Sequence, residues 1–177
     1  MAPLDARQLT CVDASGVHLA MTRLYGRAPR GERGIAAVPR NDGPHVPILG
    51  ARGIGGSAAV MTVEGATDAA VLMASVEHGR APTVQPGDIV GMDTLRAHQV
   101  AGVQATSAAC GARLRSWPPS SPDLSPIAPC WSKRTTDLRK VRARTREALE
   151  TAMTAAVATL TEADARGWFA HAGDALH

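Results

Sequence analysis

Pro118–Trp131 reads PPSSPDLSPIAPCW, and the organisation of the chain can be worked outward from it. Five prolines in fourteen residues hold the backbone extended and turn-rich. A basic, helix-compatible run, Ser132 to Arg144, follows at once. A rigid loop entering a helix is a good platform for a side chain that must be held still. The periodicity predicts that helix over about Ile127 to Val141, a second over Thr145 to Thr159 and a third over about Glu162 to Ala172. On the other side of the loop, Arg113 to Trp117 reads as a strand leading into it.

Further upstream the pattern is mostly strands. Leu9 to Val12 is a short apolar run ending at Asp13. Ala14-Ser15-Gly16 reads as a turn, and His18 to Thr22 as the returning strand of a hairpin. Val46 to Ala51 and Ala58 to Val63 are two more strands, with Gly53, Gly55 and Gly56 between them. That glycine cluster opens no helix, so it is not a nucleotide-binding loop. Thr67 or Asp68 caps a helix running to about His78. After the turn Pro86-Gly87-Asp88, Ile89 to Met92 is an apolar strand with Asp93 at its end. A helix then runs from about Gln99 to Cys110, where Gly111 ends it. Strands first, then alternating strand and helix, then helices, predict one α/β domain over 1–177: a mixed sheet flanked by helices, with a helical C-terminal part.

Composition narrows the function. The chain has 177 residues, 45% of them hydrophobic, which excludes a disordered polymer. Aromatics are only 3%, so alanine and valine do much of the packing and stability is expected to be modest. Gly91, in a strand, reads as a further weak point of the core. The net charge of +3 is compatible with a polyanionic partner without demanding one. Cys11, Cys110 and Cys130 form no CxxC pair, so reduced thiols in a cytoplasmic protein are expected rather than a zinc site or disulfide framework. No run approaches the roughly 18 apolar residues of a membrane span, and the N-terminus lacks a signal peptide's apolar region.

Two acids, Asp13 and Asp93, end two apolar strands. Carboxylates brought close on neighbouring strands repel unless a cation lies between them. Hard ions such as Mg²⁺ take one or two protein carboxylates each, and two such ions can activate a water and stabilise a leaving phosphodiester oxygen. Asp13 as a plain turn acid is the competing reading. Arg23, Arg27, Arg30, Arg33 and Arg40, with Arg52 beyond, lie in or near a Gly/Pro-rich stretch that is either a solvated connection or a track along a phosphate backbone.

Several motifs together make a resemblance. They are Asp13-x-Ser15-Gly16; Tyr25-Gly26-x-Ala28-Pro29-Arg30-Gly31; Gly87-Asp88-Ile89-Val90-x-Met92-Asp93-x-Leu95-Arg96-Ala97-His98; and Pro118–Trp131 itself. In combination the chain resembles, over nearly its whole length, the catalytic domain of bacterial insertion-sequence transposases of the mariner superfamily. The resemblance implies a ribonuclease H-like fold and a DDE triad holding two Mg²⁺ or Mn²⁺ ions. It also implies DNA cleavage and strand transfer at transposon ends, with a TA target, a dimer, and a cytoplasmic, nucleoid-associated location. The first two acids fall on Asp13 and Asp93. The third falls on Ala128, with 34 residues between it and Asp93, the family spacing.

Alanine has no ligand to offer, so catalysis is expected to be impaired. Ala14, Thr94 and Ser120 also replace residues common in relatives (Glu, Asn and Tyr). Only twelve residues precede Asp13, so the family's N-terminal helix-turn-helix module is expected to be absent. Three readings follow. One is a metal-dependent strand-transfer enzyme, with Asp123, Glu147 or Glu150 as imperfect substitutes for the third acid. Another is a catalytically dead module that binds DNA or an intact transposase, through Arg23, Arg27, Arg30, Arg33, Arg96, His98, Lys133, Arg134, Arg139 and Lys140. The third is a decayed reading frame without a role. His98 as a locally satisfied helix-start residue, and Trp131 and Trp168 as core anchors, are the bland alternatives.

Overall fold

The computed structural model describes residues 5–41, 43–55, 58–62, 85–92, 104, 107–109, 111–118 and 121–173. Its centre is a five-stranded mixed sheet built from β1 (Leu9–His18), β2 (His45–Gly53), β3 (Ala58–Thr62), β4 (Ile89–Met92) and β5 (Arg113–Ser116), in the order β3-β2-β1-β4-β5. β1, β2 and β3 are antiparallel neighbours, whereas β4 and β5 run parallel to β1.

The expected hairpin at Ala14-Ser15-Gly16 does not form. β1 runs on through Asp13 to His18, paired all the way to β2 from Thr10↔Gly53 to His18↔His45. Residues of turn-forming type are held extended here by a full antiparallel ladder, so long-range pairing overrides local preference. Pro47 lies just outside the Ile48–Arg52 stretch that pairs with β3, where its missing N–H is tolerated. The connection from β1 to β2 is long and irregular, and its residues 23–38 are exposed. Arg144 fixes its root, Nη1 donating to the carbonyls of Leu19 (2.8 Å) and Met21 (3.1 Å).

Three helices cover one face: α1 (Ile127–Val141), α2 (Arg146–Ala158) and α3 (Glu162–His171). α1 begins inside the proline-rich stretch, right after Pro126, and Pro129 sits in its first turn, where the missing N–H has no intrahelical partner to lose. Thr145 caps α2 and Thr161 caps α3 in a reciprocal box with Asp164. Leu9, Cys11 and Val17 of β1 and Val46 and Ile48 of β2 join Ile127, Trp131, Leu138, Leu149 and Phe169 in the main core. Val12, Leu49, Ala51, Val90 and Met92 form a second apolar cluster, since strand neighbours alternate faces. The helix expected from Thr67 or Asp68 to His78 lies outside the described residues, and of that over 99–110 only 104 and 107–109 are described, as helix.

Gly91 is not a weak point. A Cβ there would lie 2.9 Å from Cζ2 of Trp117 and 3.1 Å from Cδ1 of Leu9, so glycine is what lets this buried indole lie on the sheet.

Asp164 links α3 to α1. Its Oδ2 accepts from Lys133 Nζ (2.7 Å) and from the backbone N–H (3.0 Å) and hydroxyl (2.9 Å) of Thr161. The Lys133 bond first, then those from Thr161, hold its carboxyl at about 2, below the usual 3.8. A depressed carboxylate stabilises the fold fully above its unfolded value and stops doing so as pH falls through the folded one. The stability gap between the native chain and Asp164→Asn should therefore be constant above about pH 4 and close between pH 4 and 2. Melting temperatures of both across that range check this; a gap that persists at pH 2 contradicts it.

Candidate active site at the end of the central strands

β1 and β4 pair in parallel from Leu9↔Ile89 to Val12↔Met92. Asp13 and Asp93 are the next residues in the chain after the last pair. Asp13 is half-buried, and both its oxygens are engaged. Oδ1 accepts from the backbone N–H of Ala14 (2.8 Å), and Oδ2 accepts from the indole N–H of Trp131 (3.0 Å). Asp93, Arg96 and His98 lie outside the described residues.

The bond from Trp131 ties α1 to the end of the central strand. Ala128 stands three residues before Trp131 on the same helix, so the two share a face about one turn apart. The alternative acids are placed differently. Asp123 is exposed on the short 3-10 turn Pro122–Leu124. Glu147 is exposed at the start of α2, and Glu150 receives bonds from Arg146 (3.0 Å) and the Thr62 hydroxyl (3.3 Å) at β3. Among the described residues no three His, Cys, Asp or Glu side chains form a metal cluster. Among the described residues at this strand end, Asp13 offers carboxylate oxygens of the kind a hard ion takes, whereas position 128 offers only a methyl group.

Of the basic residues, Arg23, Arg27, Arg30 and Arg33 are exposed on the β1–β2 connection, and among the described residues none of them is paired with a carboxylate. Lys133 is half-exposed and held by Asp164. Arg139 is half-buried, and Lys140 is bonded to Asp137 (2.7 Å). Arg134 is corrected: it is 2% exposed, its guanidinium stacked 5.5 Å from the Trp131 ring, and cannot meet a phosphate there. Burial holds it below its ordinary value, and likewise Arg52, while burial pushes the neighbouring Cys130 thiol up. Trp131 is a core anchor as expected, 8% exposed, but its bond to Asp13 was not foreseen. Trp168 is half-buried beneath Arg52, whose guanidinium lies 5.4 Å from its ring.

A sheet in the order 3-2-1-4-5, with its first strand antiparallel to the second, parallel to the fourth and carrying an acid where the parallel pairing ends, is the ribonuclease H-like arrangement. The family model described as DDE superfamily endonuclease matches residues 8–150, and the chain belongs to that family. Among solved structures it is similar to the Mos1 strand transfer complex, with TM-score 0.73 and 15% identity over 95% of this chain and 52% of that one. The Mos1 mariner paired end complex with Mn gives TM-score 0.74 and 14% identity over 95% and 53%. The catalytic domain of Mos1 mariner transposase gives 0.68 and 13% over 96% and 79%. This chain thus spans about half the length of the Mos1 chains in those complexes. At such identity the likeness is one of fold. A comparison with curated proteins gave no match. Among the described residues no helix is long and apolar enough to cross a membrane.

Proposed function

We propose that this chain is a DDE transposase catalytic domain, built to cut DNA and transfer strands at transposon ends, and impaired by the alanine at position 128. The carrying observation is the parallel register Val12↔Met92, after which each strand's next residue is an aspartate. Asp13 and Asp93 would hold one Mg²⁺ or Mn²⁺ ion. That ion, when bound, supplies Lewis-acid activation of a water or 3′ hydroxyl. Crystal structures of Mos1 complexes with Mn and with Mg accord with such an ion. The chain's own contribution is to orient Asp13 and to hold phosphates with Arg23, Arg27, Arg30, Arg33, Arg96 and His98, with Lys133 available once it leaves Asp164. The positive N-terminal end of α1 points the same way electrostatically. A dimer, a TA target and a nucleoid location belong to the same reading, as do the paired-end complexes among its structural neighbours.

The test is Mn²⁺-dependent nicking of supercoiled DNA by the chain and by Ala128→Glu. The variant should cut, and a further Asp93→Ala should silence it. A folded Ala128→Glu protein that never nicks sinks the reading.

A second reading, a DNA-binding module without catalysis, is favoured by four exposed arginines of the connection that pair with no carboxylate among the described residues. Arg27→Ala and Arg30→Ala should each lower the slope of log K against log salt by about 0.9 on duplex DNA. Unchanged slopes would remove the connection from the interface.

A further inference from the structure

We infer that Trp131 is a positioning residue for Asp13, acting through a slot across β2 that Gly50 keeps open. This rests on the reading of Asp13 as a metal-binding acid. Three elements converge here. Asp13 on β1 and Gly50 on β2 are direct register partners. Directly opposed residues of an antiparallel pair project on the same side of the sheet. Trp131 comes down from α1 onto that side, and a Cβ at Gly50 would lie 2.8 Å from both Cζ2 and Cη2 of its ring. The ring therefore occupies the space a side chain at position 50 would need. From there its N–H reaches Oδ2 of Asp13 at 3.0 Å, 118 residues away in sequence. The ring is pinned from another side by Arg134, 5.5 Å from its centre.

The chemistry of this bond suits a metal-binding acid. An indole N–H can only donate, so it serves an oxygen lone pair of Asp13 and leaves other lone pairs on the same carboxylate for an ion. With Ala14 N–H on Oδ1 at 2.8 Å, both oxygens are held by donors. The carboxylate plane is thus set before an ion arrives. Hydrogen bonds of this kind to metal-binding groups commonly change affinity by about 10–100-fold when removed. A buried indole also needs an acceptor for its own sake. What separates a positioning role from mere satisfaction of the indole is the response to metal.

The experiment is a Mg²⁺ titration of the ¹⁵N-indole NMR cross-peak of Trp131, together with Mn²⁺ binding followed by the EPR signal of free Mn²⁺. In the native chain the peak should move saturably with Mg²⁺, and in Asp13→Asn it should not. Trp131→Phe keeps a ring and loses the N–H. Gly50→Ala keeps the N–H and displaces the ring. Each should weaken Mn²⁺ binding about 10-fold, with the backbone amide spectrum still that of a folded protein. A folded Trp131→Phe that binds Mn²⁺ as tightly as the native chain overturns the inference and leaves the reading of Asp13 standing. Native-strength binding by Asp13→Asn overturns both. Should neither substituted protein fold, the native peak decides alone: a Trp131 resonance that ignores Mg²⁺ overturns the positioning role.

Discussion

Ala128→Glu is expected to raise Mn²⁺-dependent nicking by on the order of 100-fold or more. Lewis-acid stabilisation of a phosphoryl centre contributes several kcal/mol, and each 1.36 kcal/mol is tenfold in rate, so a carboxylate added at this position has room for a factor of about 10²–10³. The geometry permits it. Residue 128 is three positions before Trp131 on α1, and the Trp131 indole already touches Asp13. A glutamate one turn nearer the helix start is long enough to extend toward the same carboxylate. The helix also tolerates the change. Residue 128 lies in the first turn of α1, where an acid interacts favourably with the helix dipole by about 0.3–1 kcal/mol. Loss of the fold is therefore not the expected outcome, and circular dichroism of both proteins verifies it. If the unmodified chain cuts as fast as the variant, and Asp93→Ala stops it, Ala128 is not the defect. Asp123, exposed on the turn leading into α1, would then be the first acid to substitute.

The parts that were legible in the sequence are those where local pattern and tertiary role agree. Ile89–Met92 was readable residue for residue, because a four-residue apolar run behind Pro-Gly-Asp has little else to become. α1 has the bounds its periodicity predicted, Ile127–Val141. β1 was cut short because Asp-Ala-Ser-Gly has turn chemistry, and only the partner strand 30 or so residues away keeps it extended. Arg134 was misplaced for the opposite reason. Its charge suggested solvent, yet Ile127, Trp131, Arg134 and Leu138 fall at the three- and four-residue intervals of one buried stripe, and that signal was present. Gly91 looked like a missing side chain, because no local rule says that an indole lies above it. The bond between Trp131 and Asp13 had only an indirect signal: a buried indole seeks an acceptor, and an acid ending a buried strand offers one.

Phe169→Ala should be the most damaging truncation, costing about 3–5 kcal/mol of a total that for a domain is roughly 5–15 kcal/mol. Phe169 is the chain's one phenylalanine and is 0% exposed, in a core otherwise built of smaller side chains and two buried indoles. It lies near the end of α3, and α3 does more than cover apolar surface. The carbonyl of Thr161, its N-cap, accepts from Arg52 Nη2 at 2.7 Å, and the Trp168 ring carries the same guanidinium. Arg52 is 1% exposed, and among the described residues its Nε and Nη1 have no hydrogen-bond partner. Loosening α3 would strip a buried cation of its hydrogen bond to Thr161 and its aromatic support, which is costlier than the cavity alone. Phe169→Ala should therefore hurt less when Arg52 is already methionine, which has similar length and no charge to strand. Urea melts of the native chain, both single variants and the double variant measure this. The coupling should lie within about 0.5–3 kcal/mol. Additivity to within about 0.5 kcal/mol would show that α3 holds Phe169 and Arg52 independently.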